Sequence, residues 1–384
     1  MAKRVLRTKL CDLLGIEYPI LSAGMGPTLI GERTGATVEL VVAVSEAGGL
    51  GVLGGSGYTV DELREAIRQI KAQTEKPFGV DLLLPQKLDL GGGLGQSGVD
   101  KVPLGLVLKS IPQAHRDWVE KIRREMVLPE AEIMVRMNTT TLRPLEAVKV
   151  CLAERVPLFC AGLGNPGFMV EEAHALGIKV LAITGNAKNA KRMAQSGIDL
   201  LVAQGHEGGG HTGRIGTMAL LPQAIDAAYP VPVLAAGGIG DGRGVAAALA
   251  MGCIGVWVGT RFLATNEGGA LEVNKRRIIE SNDEDTRVSR AYTGKTLRAS
   301  YNRFHDLWDQ SGLEPLPFPT QVLISSALLG AFVEASQDEY VGGLAGQISG
   351  LIKEIKPARQ VLEEMVEETV DILTRRLPES VTAK

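Results

Sequence analysis

The sequence has little cysteine, no excess of one charge and no long apolar run. Its four cysteines, Cys11, Cys151, Cys160 and Cys253, are scattered and form no CxxC pair, so we expect reduced core thiols. The net charge is −3 and no basic face stands out, so nucleic acid is not an expected partner. No apolar run reaches the roughly 18 residues that span a bilayer, and the first residues lack the apolar core of a signal peptide. These absences predict a cytoplasmic protein without a membrane partner.

Glycine, in contrast, is abundant, with 47 residues, and much of it follows short apolar runs. Segments with helical spacing separate these runs, as in residues 59–74 and 241–251. The runs are continuously apolar, as buried parallel strands are. Eight such units in roughly 260 residues predict a (β/α)8 TIM barrel, an α/β fold, with a doubly wound open sheet as the alternative. The predicted strands lie at residues 19–23, 50–54, 78–85, 156–162, 178–184, 198–204, 231–238 and 254–260.

Two parts of the sequence do not follow this alternation of apolar runs and helical segments. Residues 86–127 follow the third predicted strand and form an insertion, whose second half has a helical pattern. Residues 269–384 contain helical patterns and no further β/α unit. We therefore expect a barrel domain over about residues 10–268 and a helical C-terminal region over 269–384. This region could form a lid over the barrel or the contact surface of a homodimer.

Glycine-rich turns follow the seventh and eighth predicted strands. The first turn contains Ala236, Gly237 and Gly238, and the second places Gly259 and Thr260 at the start of a helix. In TIM barrels these two loops commonly bind a phosphate through backbone N–H groups and a helix N-terminus. Glycine lets the phosphate approach the backbone. Tight turning alone would explain one such loop, but two on adjacent strands favour a phosphate site.

The loop AQGHEGGGHTGRIGT (203–217) follows the sixth predicted strand. Its glycines would let a flat ligand lie along the backbone. His211 directly follows three of them, and a neutral imidazole there could take a proton from a substrate carbon or donate a hydrogen bond to a developing anion. His206 is expected at the rim. No metal is predicted, because this loop does not hold two histidines on one face as a helical HExxH does, and no third ligand is near.

Glycine also follows the first two predicted strands. Gly24 and Gly26 flank Met25, which could cover one face of a planar ring, although methionine is more often a core residue. The stretch GVLGGSGY (51–58) repeats the pattern after the second strand. A phosphate site, a bare backbone along several strand ends and one histidine together describe a site for flavin mononucleotide (FMN).

These motifs resemble the nitronate monooxygenase family, formerly called 2-nitropropane dioxygenases. The family includes FMN-dependent NAD(P)H:quinone reductases and FabK-type enoyl-ACP reductases. Its signature Gly-x-Glu-Ala-Gly-Gly-His-x-Gly corresponds to residues 205–213, and the segment GGIGDGRGVAAALAMGCIGVWVGTRF is also very similar to the family pattern. The resemblance covers roughly residues 10–330.

The resemblance implies a TIM barrel that binds FMN non-covalently and acts on a small-molecule substrate. His211 matches the family's catalytic base or hydrogen-bond donor. The implied FMN-binding positions are Gly238, Gly259 and Thr260 at the phosphate, Ala236 and Gly237 beside it, Gly24 and Met25 against the isoalloxazine ring, and Gln204, Gly209 and Gly210 along the flavin. The implied reaction is the oxidation of alkyl nitronates or related carbon acids with O2.

The sequence departs from the family pattern in three ways. Gly208 replaces a frequent alanine, and Asp81 replaces an asparagine near the flavin. A carboxylate there would disfavour an anionic reduced ring. The insertion and the residues after about 330 are longer than in a compact nitronate oxidiser, which suggests a larger substrate. An NAD(P)H-dependent reductase of quinones or enoyl thioesters therefore remains the alternative, and a non-catalytic flavin- or phosphate-binding protein is the hypothesis from another class.

Overall fold

In the computed structural model, parallel β-strands form the centre of the molecule. The structure describes residues 5–26, 35–84, 111–129, 140–141, 143–318 and 320–382. Within these residues, eight strands belong to one sheet. They are β1 (Ile20–Ser22), β2 (Val52–Gly54), β3 (Gly79–Leu83), β4 (Leu158–Leu163), β5 (Lys179–Thr184), β6 (Leu200–Gln204), β8 (Val233–Ala236) and β9 (Gly255–Val258).

The sheet closes into a barrel. All its paired neighbours are parallel, in the order β1-β9-β8-β6-β5-β4-β3-β2. The two ends of this order meet at a bridge between Leu21 and Leu50. There Ser22 N donates to Leu50 O at 3.0 Å, and Leu50 N donates to Ile20 O at 3.1 Å. The predicted TIM barrel is confirmed, and the open-sheet alternative is wrong because no free edge separates β1 from β2.

The helices around the barrel bury an apolar face against it. The helix Val60–Gln73 shows the local reasons: Thr59 and Glu62 form a capping box at its start, and Leu63, Ile67 and Ile70 are buried against the sheet. The α-helices are Lys9–Leu14, Val38–Glu46, Val60–Gln73, Gln113–Glu125, Pro144–Ala153, Val170–Ala175, Ala187–Ala194, Thr217–Ala228, Gly242–Ala250, Thr260–Leu263, Glu272–Glu280, Arg303–Ser311, Thr320–Glu334, Ala358–Asp371 and Leu377–Ser380.

Strand side chains alternate between the barrel interior and the helix layer. In β3, Val80 and Leu82 pack in the outer layer between strands and helices. Asp81 lies between them and therefore points into the barrel. At the end where the strands begin, Leu10 and Leu14 of the first helix join the interior core and close the barrel. We call the opposite end, where the strands finish, the barrel mouth.

The C-terminal region contains two strands that the sequence pattern did not predict. β10 (Thr286–Ser289) and β11 (Leu297–Ser300) pair antiparallel. The short strand β7 (Gly210–His211) pairs with β11, so a three-stranded sheet lies at the barrel mouth. The expectation of a helical region is therefore incomplete. Its last long helix, Ala358–Asp371, packs against the barrel helices Gly242–Ala250 and Val38–Glu46.

The predicted insertion at residues 86–127 is described only in its second half, and residues 85–110 lie outside the described residues. Its helix Gln113–Glu125 packs on the C-terminal region, where Trp118 meets Trp308 edge to face with ring centres 5.0 Å apart. This helix therefore packs with the C-terminal region that carries β10 and β11. Within the described residues, no helix combines the length and apolarity needed to cross a membrane.

Candidate functional site

The predicted glycine turns meet at the carboxyl end of the barrel. Gln204 at the end of β6 is in register with Ala236 at the end of β8, and Ala236 is in register with Trp257 of β9. Gly205 N donates to Ala236 O at 2.9 Å. Adjacent strands thus bring together the three loops that the sequence assigned to phosphate and flavin.

The backbone conformation favours glycine at Gly238 but not at Gly259. Gly237 and Gly238 have φ of 89° and 73°, a left-handed conformation that side chains disfavour. Gly259 has φ −96°, and a Cβ added there would meet only Ala23 Cβ at 3.7 Å and Met25 Sδ at 3.9 Å. Neither its φ nor its packing within the described chain requires glycine. Among the described residues, the chain therefore leaves room beside Gly259 for further atoms, as a bound ligand would need.

A segment from the C-terminal region crosses these loops. Gly346 N donates to Thr260 Oγ1 at 2.9 Å, and Gln347 N donates to Glu207 O at 3.0 Å. A Cβ added to Gly209 would lie 2.7 Å from the carbonyl carbon of Ala345. Gly209 is therefore required for close packing of the chain on itself. Sequence reasoning missed this segment, although the glycines in VGGLAGQISG (341–350) were a signal.

Glu207 holds the histidine loop against a helix. Both of its carboxylate oxygens accept from Thr217 N, at 3.0 and 2.9 Å, and Oε2 also accepts from Thr217 Oγ1 at 2.9 Å. Thr217 begins the helix Thr217–Ala228, where a negative charge is favourable. The carboxylate is therefore engaged in loop structure. Within the described ranges, no cluster of three potential metal ligands occurs.

His206 is also engaged within the loop. Its Nδ1 donates to Gly213 O at 2.7 Å, and its carbonyl accepts from Arg298 Nε and Nη2, both at 3.2 Å. Arg298 is buried, with 4% of its surface exposed. A guanidinium on the unpredicted strand β11 thus clamps the loop, and sequence reasoning did not identify this residue.

His211 lies on β7 opposite Leu297 of β11. Its Nε2 is 3.0 Å from Thr293 Oγ1, and its ring meets Phe318 edge to face at 6.3 Å. Gln204 Nε2 donates to His211 O at 2.9 Å and fixes the backbone. Burial, and secondarily the charge of Lys295, lowers the pKa of His211 to about 4. The imidazole is therefore neutral at pH 7.

Asp81 is a buried acid inside the barrel. Its side chain is buried against Gly24 and Gly162, where an added Cβ would lie 2.9 and 2.8 Å from its Oδ2. Burial raises the pKa of Asp81 well above its usual value, and a backbone hydrogen bond with Gly162 offsets this only in part. Oδ1 is buried without a hydrogen-bond partner among the described residues. Desolvation therefore favours the protonated form of this carboxyl over the carboxylate.

Comparison with known proteins decides the family. The model of the nitronate monooxygenase family matches residues 7–91 and 96–368. The chain belongs to the nitronate monooxygenase family. A Mycobacterium tuberculosis protein whose name describes a monooxygenase is 36% identical over 383 residues, covering 95% of this chain and 97% of that protein. A Staphylococcus saprophyticus protein whose name describes a nitronate monooxygenase is 30% identical, covering 96% and 99%.

Two solved structures of similar fold represent two chemistries. Nitroalkane oxidase from Streptomyces ansochromogenes has a TM-score of 0.77 and 27% identity, covering 95% of this chain and 99% of that chain. FabK from Thermotoga maritima has a TM-score of 0.74 and 31% identity, covering 98% and 100%. As a member of the nitronate monooxygenase family, the chain is an oxidoreductase, and enzymes of this family work with a flavin.

The site residues fit a flavin nucleotide on two observations. Among the described residues, Gly259 has room beside it at the start of the helix Thr260–Leu263, as a phosphate requires. Asp81 Oδ1 is buried and has no hydrogen-bond partner in the described part of the chain, which costs free energy unless a ligand meets it. On these two observations we assign the barrel mouth as the candidate active site.

Proposed function

We propose that the chain is an FMN-dependent oxidoreductase that oxidises alkyl nitronates or related carbon acids with O2. The observation that carries this proposal is a neutral, partly buried His211 at the same barrel mouth as the free space beside Gly259. An imidazole that stays neutral can accept a proton from a carbon acid. A buried mouth also limits the access of water to the reacting carbon.

In this proposal Gly238, Gly259 and Thr260 would hold the FMN phosphate, because the glycines would admit it to the backbone. Met25 would contact the ring, and the protonated Asp81 carboxyl would donate a hydrogen bond to it. A protonated carboxyl can donate as an asparagine amide does, which explains how aspartate serves at this position. The remaining proposed contacts are Gly24, Gln204, Gly209, Gly210, Ala236 and Gly237.

His211 is the proposed catalytic base, and Thr293 fixes its tautomer. When Nε2 carries the hydrogen, it donates to Thr293 Oγ1 at 3.0 Å, and Nδ1 is left as the acceptor. A proton from the substrate carbon then moves to Nδ1, and the electron pair stays on the substrate. His206 is instead assigned to holding the loop, because its Nδ1 donates to Gly213 O and its carbonyl accepts from Arg298. When bound, FMN supplies the electron acceptor that passes electrons to O2.

A second candidate function is an NAD(P)H-dependent reductase of quinones or enoyl thioesters, favoured by the likeness to FabK. Anaerobic mixing of the FMN-loaded protein with NADH, NADPH or ethyl nitronate separates the two candidate functions. The proposal expects ethyl nitronate to bleach the flavin absorbance and the nicotinamides to leave it unchanged on the same time scale. Rapid bleaching by NADH or NADPH, without bleaching by the nitronate, would establish the reductase instead.

A further inference from the structure

Lys295 is a half-buried cation beside the proposed base. It lies on the loop between β10 and β11, two residues before Leu297, the partner of His211 in register. Its Nζ is 4.9 Å from the ring centre of Phe318, and the ring of His211 packs on the same phenylalanine. The ammonium and the imidazole therefore share one neighbour at the barrel mouth.

No carboxylate in the described part of the chain forms an ion pair with this ammonium. Burial lowers the pKa of Lys295. The positive charge of Lys295 contributes to the lowered pKa of the His211 imidazole. Removing an ammonium from water is costly unless an anion or dipole compensates. The aromatic face of Phe318 compensates only in part.

The hairpin loop holds Lys295 in place. Lys295 N donates to Thr293 Oγ1 at 3.3 Å, the hydroxyl that also contacts His211 Nε2. Gly294 between them has φ 79°, and a Cβ there would lie 3.0 Å from Phe318 N. One tight turn thus positions both the hydroxyl that orients the base and the cation beside it.

We propose that Lys295 binds the anionic oxygen of the substrate, so that the site selects carbon acids whose charge lies on a nitronate-type oxygen. This inference rests on the proposed function and names its substrate class. With a preformed nitronate, the ammonium binds the anion directly. With the neutral nitroalkane, the C–H bond breaks, the proton moves to His211, and the electron pair delocalises onto the nitro oxygens beside Lys295.

The test compares Lys295→Met with Lys295→Arg, using nitroethane, ethyl nitronate and nitrate as probes. Nitrate is a planar oxyanion without a carbon acid. Loss of a charged contact should raise the KM for ethyl nitronate and weaken competitive inhibition by nitrate, each by roughly tenfold to hundredfold in Lys295→Met. Lys295→Arg should stay close to wild type. With nitroethane, kcat should fall more than KM rises. Lys121→Met, which removes one exposed positive charge elsewhere, is the matched control.

An equal change in KM for nitroethane and ethyl nitronate, or unchanged nitrate inhibition in Lys295→Met, would overturn the inference. If the flavin-loaded wild type turns over neither form, the proposed function fails by itself. Nitrate binding to the loaded protein, measured by calorimetry, then still decides the role of Lys295. Weaker binding in Lys295→Met supports an oxyanion receptor, and unchanged binding rejects it.

Discussion

His211 Nε2 lies 3.0 Å from Thr293 Oγ1, although 82 residues separate them in the sequence. The contact exists because β7 pairs with β11, which places the hairpin loop beside the histidine. It gives the C-terminal region a part in the proposed chemistry, since a hydroxyl outside the barrel strands orients a base on a barrel loop.

Replacement of Thr293 tests this orientation. Thr293→Val removes the acceptor of the imidazole N–H, and the loss of one neutral hydrogen bond should lower kcat/KM for nitroethane by about twofold to tenfold. Thr293→Ser keeps the hydroxyl and should stay close to wild type. Steady-state turnover measures both. A fall of equal size for preformed ethyl nitronate, which has no proton to lose, would assign Thr293 to general packing.

The pH profile tests the electrostatics of His211. Its pKa of about 4 means that the imidazole is the free base above this pH. Log kcat/KM for nitroethane should therefore be flat from pH 7 down to about 5 and fall below pH about 4. Lys295→Met removes one cause of the depressed pKa, so the acid limb should move to higher pH. An acid limb near pH 6.5 in the wild type would show an unperturbed base.

Substitution of Gly259 tests the proposed position of the phosphate. Gly259→Asp places a side chain and a negative charge in the free space beside Met25, so the purified protein should lose bound FMN while its fold is retained. Gly330→Asp is the matched control, because a Cβ at Gly330 meets no atom within 4 Å. Flavin absorbance per protein and circular dichroism measure the two effects. Normal flavin content in Gly259→Asp would place the phosphate elsewhere. Gly238→Asp should also lose bound FMN, but the positive φ of Gly238 means that this substitution strains the backbone as well.

The pH dependence of FMN binding tests the proposed role of Asp81 as a protonated hydrogen-bond donor. Burial raises the pKa of Asp81, so its protonated form persists to higher pH than in an ordinary carboxyl, and rising pH ionises it. The charged form cannot donate, so the Kd of the wild-type apoprotein for FMN should increase as pH rises. The Cys160 thiol lies in register with Asp81 on the neighbouring strand, and burial also raises its pKa. Asp81→Asn keeps a donor without titration, so fluorescence titration should show FMN binding independent of pH. The same pH dependence in both proteins would contradict this role.

Much of the fold was predictable because it depends on local pattern. Continuous apolar runs such as residues 198–204 can only be buried strands or helices, and their length and flanking glycines decide for strands. The barrel order and the position of the glycine turns follow from right-handed β/α connections. The family signature then identified His211 from a single loop, because the positions of its glycines and histidine are specific.

The missing parts depend on contacts between distant residues. β7 is two residues long, and no sequence pattern marks so short a strand. Arg298 and Lys295 gain their roles only when β11 pairs with it. The segment around Gly346 contacts Thr260 across 86 residues, and no periodicity predicts such a crossing. The protonation of Asp81 also depends on its burial, which raises its pKa in a way that the sequence does not display.

The most direct test of the central claim compares His211→Asn with His206→Asn on the neutral and anionic forms of one substrate. A positioned general base contributes about 10²–10⁴-fold. His211→Asn should therefore lower kcat/KM for nitroethane by that order while FMN stays bound, and it should affect ethyl nitronate much less. His206→Asn should change either rate far less. Equal losses for both forms in His211→Asn, or a larger loss in His206→Asn, would contradict the account.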